Sequence, residues 1–321
     1  FVYFLLNLML TFSMSAFNIG LNSQSVMLQK KLDKVVIGKF HASWSIGATV
    51  SAAVSGILAS FMPLWLHLLI VPLICAIAFE VANRWALNPE EDGHSEERAR
   101  SKSAGFFKSP PQVWLLAAGL FAGVFPEMVM FDWSALYSKQ ILGLSVTLGA
   151  IPLTAYTTAM IIGRLSISRL TRRYHVSDLS KVGGFAAAGA LGLSLIFGPI
   201  AAEQSTWLGL LVTAALWVIV GLGTAPMVPS FFSAAGHIQG LSTAQVLSRM
   251  SIVNQLLVLG SKTLMGALAQ GVGLVIAFLM PMALLMIAGL LAATVARRSK
   301  RQDAVDNAFP ATGPLTIVDE L

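Results

Sequence analysis

Nine apolar segments, at roughly 1 to 24, 40 to 61, 63 to 83, 112 to 136, 144 to 165, 181 to 201, 205 to 229, 244 to 267 and 271 to 296, take up most of this 321-residue chain. A helix rises about 1.5 Å per residue, so each segment is long enough to cross the roughly 30 Å hydrocarbon core of a bilayer. Inside that core every backbone N–H and C=O needs a partner within the protein, which leaves helices or a closed barrel. Barrel strands alternate apolar and polar residues, and these continuous apolar runs do not. With 56% hydrophobic and 11% charged residues, the chain also lacks the polar surface of a soluble globule. The expected fold class is an all-α polytopic membrane bundle.

The basic residues give that bundle a direction. Of 21 lysines and arginines, 19 fall in alternate gaps or in the tail. Lys30, Lys31, Lys34 and Lys39 follow the first segment, and Arg84, Arg98, Arg100, Lys102 and Lys108 follow the third. Arg164, Arg169, Arg172, Arg173 and Lys181 surround the gap after the fifth, Arg249 marks the gap after the seventh, and Arg297, Arg298, Lys300 and Arg301 follow the ninth. The opposite gaps hold only Lys139, while Lys262 lies inside the eighth segment. Cytoplasmic loops carry the excess of Lys and Arg. Residues 86 to 110, 166 to 180 and 297 to 321 are therefore expected inside, with residue 1 on the outer side. These loops account for the net charge of +6, so nucleic acid is not expected as a partner. Residue 1 is Phe with no basic stretch ahead of the first segment, which reads neither as a signal peptide nor as a natural start. The single Cys75 permits no intrachain disulfide.

One loop carries the most specific local pattern. Gly163, Arg169, Leu170, Arg173 and Tyr174 resemble the loop after the second or eighth helix of the major facilitator superfamily, with Ser168 where that loop usually has an acid and His175 where it has glycine. Asn22 to Gly47, with His41, Ser43, Trp44 and Ser45 opening a helix, is similar to the fourth-to-fifth helix region of the YbjJ-like and fucose-permease-like bacterial branch. Glu127 followed by Asp132, Trp133 and Ser134 is similar to that branch's seventh helix. The resemblance implies that the nine segments are helices four to twelve, the first three being absent. Residues 1–85 would then be the remainder of an amino-terminal six-helix bundle. Residues 86–110, polar and ended by Pro110 and Pro111, would be a cytoplasmic linker, 111–298 the carboxyl-terminal six-helix bundle, and 299–321 a cytoplasmic tail. It further implies a monomeric, multi-pass protein of the bacterial inner membrane.

Glu127 is the strongest candidate for substrate binding or coupling. An ionisable group deep in a span costs about 2.5 to 3.5 kcal/mol on insertion scales and normally faces a cavity or a partner. Pro126 before it removes one backbone hydrogen bond and frees the carbonyl of Ala122, so a broken helix is expected there. Lys262 is the candidate counter-ion for Glu127, or else it snorkels to the outer interface. Asp132 is expected to pair weakly with Lys139. Asn22, Gln24, His41 and Trp44 gather where the first two segments meet, a grouping of amides and an aromatic face suited to a polyol or to an inner gate. Asn254 and Gln255 join the binding candidates, and Gly223 and Pro226 mark a hinge near the inner end of the seventh segment. Gly163, Arg169 and Arg173 form the conformational loop implied by the resemblance. A structural reading stands beside each: interhelical hydrogen bonds for the cluster of Asn22, Gln24, His41 and Trp44, belt packing for Trp133, an ordinary kink for the glycine and prolines.

The five histidines lie at least 26 residues apart, so no helical zinc pair exists. Gly260-Ser261-Lys262-Thr263 lacks the glycine directly before the lysine that a phosphate loop needs. No cofactor or metal is expected. Secondary active transport of a small polar solute, sugar-like or another metabolite, follows as the first expectation, by alternating access, with protons as an optional partner through Glu127. The alternative is a non-transporting polytopic membrane protein or a membrane-embedded enzyme.

Overall fold

The computed structural model describes residues 2–32, 34, 36–58, 62–88, 105–238 and 240–308. Every regular element among them is helical. A first group comprises α1 (Val2–Leu32), α2 (Ile37–Leu58) and α3 (Leu64–Asn83). A short 3-10 turn at Phe106–Lys108 leads into the second group. It consists of α4 (Pro111–Gln140), α5 (Val146–Leu170), α6 (Val176–Gln204), α7 (Thr206–Thr224), α8 (Met227–Ala235), α9 (Thr243–Gly271), α10 (Leu274–Ala277) and α11 (Leu279–Ala308). Among the described residues, seven stretches are long and apolar enough to cross a membrane, from Trp65–Asn83 to Leu274–Val295, and α7 with α8 makes one of them. The all-α membrane bundle expected from the apolar segments is what is observed.

Helix ends follow capping chemistry more closely than hydropathy. Pro110 and Pro111 start α4, where a missing N–H costs nothing. Ser242 and Gln245 form a reciprocal capping box at the start of α9, and Ser145 accepts from the backbone of Leu148 at the start of α5. Nδ1 of His175, the residue standing where the family loop has glycine, accepts from the N–H of Ser177 and so caps α6. α1 and α11 run several residues past the apolar segments that foretold them, α11 continuing beyond residue 298 to Ala308. The acidic run of the linker lies outside the described residues.

The second group packs tightly. Its most extensive pairing joins α6 to α7, followed by α5 to α7 and α6 to α11. Close backbone approach is the reason: a Cβ on Gly183 would lie 2.3 Å from the carbonyl oxygen of Gly223, and one on Gly223 would lie 2.4 Å from that of Gly183. Without a hydrophobic driving force in lipid, such small-residue contacts let dispersion hold helices together. The polar tips of Trp217 and Tyr137 in this core are satisfied. Trp217 donates to Ser194 Oγ at 3.1 Å, and the Tyr137 hydroxyl to the Ser194 carbonyl at 3.2 Å. Among the described residues the first group attaches chiefly through α2 against α5 and α1 against α9. There, Gln29 of α1 donates to Ser233 of α8 at 2.7 Å, and the His41 ring of α2 stacks on Phe232 of α8 with centroids 5.5 Å apart.

One expectation needs correcting at the level of helix geometry. α4 runs through Pro126 as one continuous helix, so the proline does not break it. Pro126 itself is buried, the helix packs against α5, α9 and α11, and flanking turns carry it past a single lost hydrogen bond. The break lies instead at Ala225 and Pro226, between α7 and α8, at the place read as a hinge.

Candidate functional site

α5 carries a buried face on which Tyr156, Met160, Arg164 and Ile167 recur at helical spacing. Arg164 is thus aimed into the protein, and it is only 1% exposed. Its Nη2 lies 2.7 Å from Oε2 of Glu127 on α4, and its Nη1 donates to Ser45 Oγ of α2 at 2.5 Å. One guanidinium therefore joins an acid of the second helix group to a hydroxyl of the first. Ser45 in turn bonds back to the carbonyl of His41, one turn earlier on α2. Around this centre stand buried Tyr156, whose hydroxyl meets Thr224 at 3.5 Å, and the ring of His41. Two buried nitrogens, Nε of Arg164 and Nε2 of His41, have no hydrogen-bond partner among the described residues.

This arrangement corrects three charge assignments. Arg164 is not a loop cation; it lies six residues before the end of α5, and its charge is drawn inward by the carboxylate it meets. Lys262 is not the counter-ion of Glu127. It pairs with Asp132 at 2.7 Å, so Lys139 is not the partner of Asp132 either. The cause is geometric: α4 and α9 lie side by side, and the exposed acid and ammonium reach one another across that seam.

The other expected site residues scatter. The Gln24 amide is committed to the chain after α3, with Nε2 donating to the carbonyl of Leu87 at 3.2 Å and the Leu87 N–H donating to Oε1 at 3.0 Å. Asn22 donates to the Asn18 carbonyl of its own helix at 2.8 Å. Trp44 faces outward and is 56% exposed. Gln255 is exposed; Asn254 is half-buried and its Oδ1 has no hydrogen-bond partner among the described residues. Of the amide and aromatic group, only His41 stands near the Glu127 and Arg164 pair.

The loop residues also separate. Gly163 lies inside α5, and a Cβ there would come within 2.6 Å of Ala225 Cβ, so its glycine allows α5 to close on the α7–α8 break. Arg169 sits in the last turn of α5 and Arg173 in the turn that follows, both exposed. Gly223 and Pro226 are buried, Gly223 against α6 and the Pro226 carbonyl accepting from Ser180 Oγ at 3.0 Å.

Comparison with known proteins finds relatives named as transporters. An uncharacterized transporter of Sinorhizobium fredii is 25% identical over 219 residues, covering 68% of this chain and 54% of the relative. An uncharacterized MFS-type transporter of Yersinia pestis is 23% identical over 272 residues, covering 83% of this chain and 65% of the relative. The chain thus spans between about half and two thirds of the length of these relatives. The family model for the Major Facilitator Superfamily matches residues 3–260, four fifths of the chain, and the helical bundle agrees with it: this protein belongs to the major facilitator superfamily.

Proposed function

We propose that this chain serves secondary active transport of a small polar solute across a bacterial inner membrane, with the carboxyl terminus in the cytoplasm, by rocking of two helix groups about a central polar site. Family membership and the naming of both relatives as transporters support transport in general. The observation that carries the mechanism is the Ser45–Arg164–Glu127 chain. It is buried and charged, and its Arg164–Ser45 bond crosses the seam between the groups, where alternating access would make and break contacts. A buried ion pair adds little net stability against an apolar alternative, and its retention in a membrane span points to a working role.

In this reading Glu127 is the coupling group. Protonating it weakens its hold on Arg164, and Arg164 holds α2 through Ser45, so proton occupancy and the closure of the seam are linked. Gln29 with Ser233 and His41 with Phe232 would form the rest of the inner seam, and the α7–α8 break at Pro226 would let α8 move with it.

Uptake by the full-length gene product in proteoliposomes, driven by an imposed pH gradient, tests this reading. Saturable accumulation is expected. Glu127→Gln should lose accumulation against a gradient while retaining solute exchange. A folded protein that moves none of a broad panel of sugars, acids, amines and amides above the empty-liposome rate would sink it.

A further inference from the structure

Charge balance at the same pair narrows the solute. We propose that the transported solute carries a carboxylate, that Arg164 is its anchor, and that each solute enters together with one proton, which is taken up by Glu127; this deepens the transport reading given above. Arg164 has five N–H donors. One serves Glu127 and one serves Ser45, while Nε, buried as well, has no partner among the described residues. A guanidinium whose Nε–H is unspent has a donor left for a second carboxylate.

With Glu127 ionised the cluster of Glu127 and Arg164 is neutral. An added solute carboxylate would leave one uncompensated negative charge in a buried site, which is strongly disfavoured. A proton arriving alone on Glu127 would leave Arg164 as an uncompensated cation, equally disfavoured. Only when both arrive does the balance return to zero: a proton from water neutralises the Glu127 carboxylate, and the solute carboxylate replaces it at Arg164. Proton and anion are then bound cooperatively without any other coupling device, and the transported pair carries no net charge. A neutral polyol would draw on none of this. His41 adds a further polar atom nearby: it is neighboured by Ser45 on the same helix, and its Nε2 is buried without a partner among the described residues, available to meet a carboxylate oxygen.

The prediction that separates this idea from a purely structural ion pair concerns Glu127→Gln. In that variant Arg164 is left without its acid, so a solute carboxylate should bind more tightly than to the parent and without help from protons. Titration calorimetry on the detergent-purified full-length gene product at pH 5.5, 6.5 and 7.5 would read this. Lactate and benzoate serve as probes, with lactamide, benzamide and a neutral hexose as uncharged controls.

For the parent we expect carboxylate affinity to fall by about tenfold per pH unit, the slope of one linked proton, at the alkaline end of the range. Glu127→Gln should show affinity flat with pH and at least about tenfold tighter at pH 7.5. The double variant Glu127→Gln with Arg164→Gln keeps the cluster neutral and so keeps the fold testable. Its carboxylate affinity should drop on the order of a hundredfold. If the double variant binds either carboxylate as well as the parent, or if neither carboxylate binds the parent or Glu127→Gln, the proposal is overturned. Binding of the hexose or the amides that is lost on altering Ser45 or His41 would overturn the carboxylate class while leaving the central transport site standing. Binding of no solute of either kind would count against both.

Discussion

α3 and α7 are both short apolar helices, of 20 and 19 residues. α7 buries Leu210, Thr213, Trp217, Val220, Gly221, Gly223 and Thr224, whereas none of the described residues of α3 is buried. Apolarity is the same; the surroundings are not. α7 presents Gly209, Gly221 and Gly223 to its neighbours, and at each a Cβ would lie within 2.6 Å of another helix or chain segment. α3 offers Trp65, Leu68, Leu69, Leu73, Ile74 and Ile77 at its exposed surface, and it touches α1 through the edge-on Phe17–Phe79 pair. In lipid, a leucine gains little by leaving acyl chains for another leucine, so hydrophobicity puts a helix in the membrane and small residues and polar contacts decide what it packs on. The seam between the two helix groups shows the second half of this rule, since the polar side chains of Gln29, His41, Ser45 and Arg164 meet partners across it beside the buried Val26 and Ile37.

The largest effect should come from breaking the buried ion pair that backs the seam. Glu127→Gln leaves Arg164 buried without its acid, and removing one partner of a buried pair typically costs about 3 to 5 kcal/mol. Removing both charges should cost much less, because no buried charge is left over. Thermal melts of Glu127→Gln, Arg164→Gln and the double variant would check this. A double variant that is as unstable as the sum of the single ones would mean that the two residues do not act as a pair.

Much of this was legible in the chain. Long apolar runs foretold the helices, and Pro111 foretold the start of α4, because burial in hydrocarbon admits so few backbone solutions. Glu127 stood out by the cost of its position. Its partner did not, because counting basic residues by gap assigns any arginine near a segment end to the loop. The available signal was periodicity: Tyr156, Met160 and Arg164 are four apart, which sets Arg164 on the face that the buried tyrosine occupies. The amides of α1 misled for a different reason. Asn22 and Gln24 look alike in sequence, and only the folded chain shows that Gln24 is used by the peptide of Leu87 and Asn22 by its own helix. Similarly, Gly163 fits the family loop pattern but serves a helix contact in which Ala225 leaves no room for a Cβ.

The glycines give the next test of the contrast. Gly223→Val forces side-chain atoms against the Gly183 carbonyl, and overpacking of this kind costs about 1 to 3 kcal/mol or more. Gly47→Val in α2 meets nothing within 4 Å and should leave stability unchanged or slightly raised. Equal losses in the melting of the two variants would show that α2 packs as closely as α7 does.

A smaller change should follow Gln29→Leu. It removes the 2.7 Å bond to Ser233 across the seam, and interhelical hydrogen bonds in membranes contribute about 0.6 to 2 kcal/mol. Because this bond joins α1 to α8 rather than helices of one group, its loss should raise cysteine labelling near Ser233 more than it lowers the melting temperature. The reverse ordering would place Gln29 in the core of a single rigid body.

The smallest effect should come from Asp132 and Lys262, although their separation of 2.7 Å matches that of Glu127 and Arg164. The difference is exposure. The Asp132 and Lys262 side chains are 44% and 43% exposed, so water and ions screen the attraction and both side chains give up freedom to meet. Exposed pairs contribute about 0 to 1 kcal/mol, and salt weakens them further. Asp132→Asn should therefore shift melting little at low salt and not at all at high salt. Glu127→Gln should keep its full penalty in both, because its pair is shielded from ions. Were Asp132→Asn to cost as much as Glu127→Gln, with no dependence on salt, the seam between α4 and α9 would be closed to water at its outer end. The contrast between a working pair and a surface pair would then disappear.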